Sequence, residues 1–330
     1  MPTRSRGEAM DKKKLQIAIY WGAGCGGCDV SVLDTNEFIL DIAAAADIRM
    51  WPIAVDGKYK DVEAMADSEL DLVFYNGAVR TSENEHLAKL LRKKSKVMVA
   101  YGSCAHMGGI PALANQFNKE EIFERAYLKN ASLQDGNTAT PQVSTKVDVG
   151  ELTIPVFYKR VYKLDDVVDV DYYLPGCPPA PEQVKAVVTL IVSGAALPPK
   201  GSVVGASERA VCDDCLRKKE EKKVKQFFRP WQVIQDPEKC LMEQGIICSG
   251  SATRSGCGVR CPNSGMPCRG CYGPMPNVVD QGAKILSSVA SIIDSKEPEE
   301  IEKILEGIQD ITGYAYRFGM AGSLLQRSIR

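Results

Sequence analysis

The sequence predicts an α/β protein, a doubly wound parallel sheet over residues 15–200 followed by a cysteine-rich, mostly irregular region over 201–330 with closing helices. Three observations carry this reading. Short β-branched and aromatic runs alternate with helical periodicity through the first two hundred residues, the pattern of a parallel sheet. A Leu-Pro-Pro-Lys-Gly stretch at 197–201 marks a boundary, after which regular periodicity nearly vanishes until residue 277. The cysteines are lopsided: four lie in residues 1–211 and eight in the sixty positions 212–271.

Each element follows from local signals. Residues 1–14 are polar and basic and are expected to be flexible. Residues 15–20 (LQIAIY) form the first strand, closed by the glycines of 22–27. Residues 30–46 place Val30, Leu33, Phe38, Ile39 and Ile42 near period 3.6 and predict a helix. A second strand over 48–55 is interrupted by Pro52; a third, 70–75 (LDLVFY), ends in the turn signal Asn76-Gly77. A charged helix over 83–94 precedes a fourth strand at 97–101 (VMVAY). A last strand at 170–174 leads into a helix over 181–193 with proline at its start. Residues 130–155 read as a long loop or hairpin excursion without an assigned role. The closing helices are 277–294 and 298–309.

Composition narrows the function. The 41 basic and 42 acidic residues nearly cancel, so no global charge attracts nucleic acid or anionic lipid. The most apolar stretch, residues 184–197, falls short of the roughly 20 residues needed to span a bilayer. No secretory leader is evident at the start, so a cytoplasmic location is expected. In that reducing compartment, twelve cysteines read as metal ligands or redox centres sooner than as disulfides.

The early four occupy equivalent places. Cys25 and Cys28 follow the first strand in GAGCGGC, Cys104 follows the fourth in YGSC, and Cys177 follows the last in LPGCPP. In open α/β sheets such loops converge outside the carboxyl ends of the strands. Their glycines let backbone N–H groups approach sulfur, which suits the thiolates and sulfides of an iron–sulfur cluster. The later eight divide by spacing into Cys212, Cys215, Cys240 and Cys248, and Cys257, Cys261, Cys268 and Cys271. Three sets of four exhaust the twelve and point to three [4Fe-4S] clusters, each taking four thiolates. The later region has little apolar material, and bound metal would supply its folding free energy. Three readings compete: a thioredoxin-like dithiol at Cys25–Cys28, structural zinc in the C-terminal sets, and ordinary disulfides.

Other residues invite weaker readings. His106, two residues after Cys104, reads as packing or a donor to a ligand; His86 reads as solvated. Asp29 reads as a helix-start carboxylate. The run 217–225 (RKKEEKKVK) reads as a solvated face that could border a partner, and Phe227, Phe228 and Trp231 as core or interface.

The ordered motifs CGGC, GSC and PGCPP, with the cysteine-rich module after them, resemble the small, electron-transferring subunit of [NiFe] hydrogenases from about residue 15 to 294. The stretches GCGVRCP (256–262), GCYGP (270–274) and NVVDQG (277–282) look closest to the cytoplasmic methyl-viologen-reducing type, which does not reduce the deazaflavin coenzyme. The resemblance implies a flavodoxin-like domain followed by an iron–sulfur domain. It implies that Cys25, Cys28, Cys104 and Cys177 hold a proximal cluster facing a large subunit's nickel–iron site. Cys257, Cys261, Cys268 and Cys271 would hold a medial cluster, and Cys212, Cys215, Cys240 and Cys248 a distal one. Two departures from membrane-bound or periplasmic members stand out. Those members have a histidine where this chain has Cys212 and often lack the equivalent of Cys261; both changes favour all-cysteine four-iron sites. The missing twin-arginine signal agrees with a cytoplasmic member.

The implied partners are a [NiFe] hydrogenase large subunit, or a degenerate relative of one, an iron–sulfur adaptor subunit and a heterodisulfide-reductase-like complex, with no direct membrane insertion. Alternative readings are a similar subunit of another reductase without nickel–iron chemistry, a relative of the cluster-bearing subunit of respiratory NADH dehydrogenase, and a zinc-stabilised binding module. No histidine–carboxylate–nucleophile set suggests catalysis by the chain itself.

Overall fold

The computed structural model describes residues 14–134, 136, 138–220 and 223–327. Of the expected flexible start, all but Lys14 lies outside them.

Six parallel strands form the main sheet. In chain order the first elements are β1 (Leu15–Trp21), α1 (Gly27–Leu33), α2 (Phe38–Ala45), β2 (Ala46–Met50), α3 (Tyr59–Glu63) and β3 (Leu70–Asn76). There follow β4 (Val79–Thr81), α4 (Ser82–Lys94), β5 (Ser95–Tyr101), α5 (Gly102–Met107) and α6 (Lys119–Phe123). The excursion holds the antiparallel hairpin of β6 (Ser144–Val147) and β7 (Gly150–Thr153). Beyond it come β8 (Phe157–Tyr162), β9 (Tyr172–Leu174), α7 (Pro181–Val192) and β10 (Ser202–Val203). The sheet runs β10-β9-β5-β3-β1-β2. Its first five strands in chain order follow the flavodoxin-like 2-1-3-4-5 arrangement, with β10 added at the far edge. The period of two is visible in β1: Ile17 and Ile19 pack with Val32, Ile42, Val184 and Val187 on one face. Ala18 and Tyr20 pack with Leu87, Leu91 and Leu164 on the other. Helices therefore cover both faces, as a doubly wound sheet requires.

Two expected elements differ. The helix expected over 30–46 is broken into α1 and α2, with Asn36 at φ +54° between them. The Thr35 hydroxyl donates to Val32 O, a local bond that competes with helix continuation. The strand expected over 48–55 ends at Met50. Pro52, which has no N–H, lies in a turn closed by Val55 N to Trp51 O at 2.7 Å. Outside the main sheet, β8 pairs with β4, a strand that the sequence did not lead us to expect.

The second half is short of regular structure until its closing helices. The four-residue helices α8 (Val211–Asp214) and α9 (Arg260–Asn263) come first, then α10 (Gln281–Ala290), α11 (Pro298–Leu305) and α12 (Ile311–Ala315). Asp280 caps α10 by accepting from Ala283 N at 3.0 Å. The core here joins Val224, Phe227, Ile247, Ile285, Val289 and Ile304 to Ala78 and Ala112 of the first half. The apolar core is thus continuous across the boundary at 197–201.

Candidate functional site

Three parallel strands deliver four thiols to one edge. Cys25 lies in the loop after β1 and Cys28 in the first turn of α1. Cys104 lies in the first turn of α5, directly after β5, and Cys177 follows β9. Burial pushes the Cys28 thiol far up, and Cys104, Cys177, Asp29 and Cys25 push it further, so the four sulfurs feel one another. Burial likewise raises Cys104 to about 12, reinforced by Cys177 and Cys25 and opposed by the Ile110 amide. Unligated, these thiols stay protonated; metal ligation must release those protons.

Glycine makes the room. A Cβ on Gly102 (φ +84°) would lie 2.3 Å from Cys28 Sγ, and one on Gly109 (φ +58°) 2.6 Å from Cys104 Sγ. Cα hydrogens thus border two of the sulfurs at positions that L side chains disfavour. Next to Cys28, Asp29 is fully buried and accepts from Trp51 Nε1 at 2.8 Å and Asn76 Nδ2 at 3.0 Å. Burial raises its pKa, and the two donors oppose the rise. Its carboxylate ties α1 to the ends of β2 and β3.

The other eight thiols gather in the irregular region. Cys212 and Cys215 flank the turn of α8, whose carbonyls accept from Lys219 Nζ at 2.6 Å (Cys212) and 3.4 Å (Cys215). Burial lifts Cys212 to about 12, with Cys248 and Cys240 adding and Lys219 subtracting. Burial lifts Cys248 to about 11, against donation from the Gly250 and Cys268 amides, the latter at 3.2 Å. Burial raises Cys261, with Cys257 adding to the rise and Arg269 opposing it.

Two thiols stand between sets. Cys268, the buried one of the twelve, is raised by burial and then by Cys248 more than by Cys271. Burial raises Cys271 to about 12, and Cys177 adds more than Cys257 or Cys261 does. Geometry brings the expected Cys257/261/268/271 set against both others: Cys268 N donates to Cys248 Sγ at 3.2 Å, and the Ser103 hydroxyl reaches Cys271 O and Gly176 O, next to Cys177. All twelve cysteines are free, so no disulfide occupies the donors. Soft sulfur donors, amide donation and glycine-lined gaps fit iron–sulfur ligation.

Ser103 escaped the sequence reading, and Arg217, expected on a solvated face, is half-buried on backbone carbonyls. The Ser103 hydroxyl lies 2.8 Å from Gly176 O and 2.5 Å from Cys271 O, joining the first two sets. Arg217 donates to Pro262 O at 3.2 Å, Asp236 O at 2.9 Å and Lys239 O at 3.0 Å, joining the last two. No sequence spacing announces either residue; only the neighbouring cysteine motifs hint at them. His106 is half-buried against Tyr173 (4.7 Å between rings), its buried Nδ1 without a partner among the described residues, and desolvation lowers it to about 4. His86 is exposed beside Glu63 at 3.7 Å. Phe227 is core, Phe228 half-buried, and Trp231 exposed. No helix among the described residues is long and apolar enough to cross a membrane.

The chain is similar to several known proteins. Residues 25–191 match the family model described as NADH ubiquinone oxidoreductase, 20 Kd subunit. The chain is 40% identical over 321 residues to an iron-sulfur subunit of the F420-non-reducing hydrogenase of Archaeoglobus profundus, covering 96% of this chain and 99% of that protein. It is 35% identical to a subunit of the F420-non-reducing hydrogenase of Methanothermobacter marburgensis, covering 96% and 98% respectively. A chain from the crystal structure of an NAD+-reducing [NiFe]-hydrogenase overlays 56% of this chain and 96% of its own length, at 29% identity and TM-score 0.48.

Proposed function

The chain belongs to the small-subunit-type family of [NiFe] hydrogenases and is a subunit of an oxidoreductase, and from that premise we propose that it carries electrons between a partner's nickel–iron site and a further acceptor by holding three [4Fe-4S] clusters. Cys25, Cys28, Cys104 and Cys177 are the proposed ligands of the cluster facing the partner, Cys257, Cys261, Cys268 and Cys271 of the middle one, and Cys212, Cys215, Cys240 and Cys248 of the outer one. The observation that carries the reading is that the proposed middle set touches both others: Cys268 N donates to Cys248 Sγ at 3.2 Å, and the Ser103 hydroxyl reaches both Cys271 O and Gly176 O, next to Cys177. A four-iron cluster in each set supplies a one-electron carrier.

The chain's own residues do the rest. They half-bury most of the cysteines, aim the amides of Ile110, Gly250 and Gly270 at sulfur, and fix one set against the next through Ser103 and Arg217. The proposed partners are a hydrogenase large subunit on the Cys25 side and an iron–sulfur adaptor with a heterodisulfide-reductase-like complex beyond. The proposed location is the cytoplasm, where twelve thiols remain reduced. The balanced charge of the chain favours no nucleic-acid partner.

Metal and sulfide analysis of the complex tests the reading. About twelve iron and twelve acid-labile sulfide per chain are expected; zinc without sulfide would refute it. Cys261→Pro should convert one four-iron signal to a three-iron signal. Loss of the Cys25-side signal instead would refute the grouping.

A further inference from the structure

Fixed charge is distributed unevenly among the thiol sets. At the first set the charged neighbour is an acid: Asp29 is buried beside Cys28, held by Trp51 and Asn76, and acts on the Cys28 thiol. The later sets carry cations. Lys219 sits on the carbonyls of Cys212 and Cys215. Arg217 sits on Pro262 O, next to Cys261, and on Lys239 O, next to Cys240. Arg269 lies between Cys268 and Cys271 in the chain, 5.4 Å over the Tyr314 ring, and acts on Cys261.

Among the described residues these three cations are not neutralised by an ion pair. Neighbouring bases are: Arg209 pairs with Asp214 at 3.5 Å, Lys218 with Glu238 at 2.6 Å, and Arg260 with Glu182. Among the described residues Lys219, Arg217 and Arg269 have no carboxylate partner; the first two bind backbone carbonyls instead. The nearby acids are turned elsewhere. Asp213 accepts from Ala210 N, Asp214 from Ser255, and Glu243 from Glu220 N.

Resting on the three-cluster reading above, we propose that this asymmetry is a built-in electrostatic gradient, with Lys219, Arg217 and Arg269 as positioning residues, that holds an electron more firmly at the two C-terminal sets than at the Cys25 set. Reduction adds one negative charge to a site, which a nearby ammonium or guanidinium stabilises and a buried carboxylate opposes. Each transfer moves one electron: the donor cluster is oxidised by one, the acceptor reduced by one, and no bond or proton changes. Flow from the hydrogen-splitting partner outward is then downhill along the chain, without any change in ligand type.

Redox titration of the intact complex, followed by electron paramagnetic resonance, tests this. In Lys219→Gln, the ratio of reduced to oxidised outer cluster at fixed potential should fall about tenfold, equivalent to about 59 mV for a one-electron couple. The Cys25-side signal should not move, Lys219→Arg should restore the wild-type midpoint, and added salt should shrink the difference. Arg269→Gln should lower the middle midpoint in the same sense. An unmoved outer midpoint in Lys219→Gln with full iron content overturns the gradient. So does a wild-type order in which the Cys25-side cluster has the highest potential. Either result leaves the three-cluster function standing, whereas absence of three cluster signals in the wild type refutes the function itself.

Discussion

Gly102 offers a controlled test of how tightly the fold closes on Cys28. Its φ is +84°, and an added Cβ would lie 2.3 Å from Cys28 Sγ, more than 1 Å inside ordinary 3.4 Å contact. Gly201 has nearly the same backbone, φ +86°, but a Cβ there meets nothing within 4 Å. Alanine at either position incurs the left-handed strain, about 1–2 kcal/mol. Only Gly102→Ala also drives a methyl into a sulfur, adding about 1–3 kcal/mol of overpacking and displacing a proposed ligand. Gly201→Ala should therefore lose a little thermal stability and keep all its iron. Gly102→Ala should lose more and bind about four fewer irons per chain, one cluster's worth. Iron quantitation beside a melting curve for the two purified variants decides the matter. Equal iron and equal melting in both would refute the claim that glycine at 102 exists to admit the thiol.

Other consequences can be measured alongside. Asp171 accepts from Arg92 at 2.6 Å and Met98 N at 2.8 Å and pairs with Lys200 at 2.5 Å; burial pushes its carboxyl up, but these partners together hold it below its ordinary value. A lowered folded pKa means that its stabilisation is complete above the unfolded pKa and lost as pH falls through the folded one. Asp171→Asn should thus cost about 2–3 kcal/mol near neutrality, and its melting gap from the wild type should narrow as pH falls below the ordinary carboxylate value; parallel curves would exclude this. Trp51→Phe removes one of two donors to the buried Asp29 and should cost about 1–3 kcal/mol in chemical unfolding, whereas an unchanged midpoint would show that Asn76 alone suffices. Stripping the metal should expose amides of residues 205–276 to hydrogen exchange before those of β1, β3 and β5, because the thiol region's own apolar cluster is only Val211, Val259 and Cys268 with Cys215 and Cys248. Uniform loss of protection would contradict that order.

The sheet was legible because its signals are local. The strand runs at 15–20, 70–75 and 97–101 fall inside β1, β3 and β5, and both faces of β1 follow from simple alternation. The helix break at Asn36 was written in Asp34-Thr35-Asn36, residue types that disfavour helix interiors, but the helical spacing of Val30, Leu33, Phe38 and Ile42 is the stronger pattern and hides it. The loops carrying Cys25, Cys28, Cys104 and Cys177 could be placed at one edge because parallel strands put every such loop there. The bonds from Ser103 to Cys271, 168 positions apart, and from Arg217 to Pro262 could not be read. They join backbone carbonyls across long separations, and a carbonyl leaves no mark on composition or period. That Lys219 meets backbone carbonyls, and no carboxylate among the described residues, was equally hidden inside a run of mixed charge, where sequence cannot say which lysine meets which glutamate.

The core shared by Ala78 and Ala112 with Phe227, Ile285 and Tyr314 bears on how the chain comes into being. During synthesis the amino-terminal portion emerges first and can fold while the remainder is still being made. The later portion finishes its packing only against surfaces that the earlier one presents, and Cys271 meets Cys177 only once the edge carrying Cys177 exists. The order of translation therefore matches the order in which a scaffold must precede what is built on it. A circularly permuted chain that began near residue 201 would reverse that order, and its cysteine-rich region would emerge with no template to fold on.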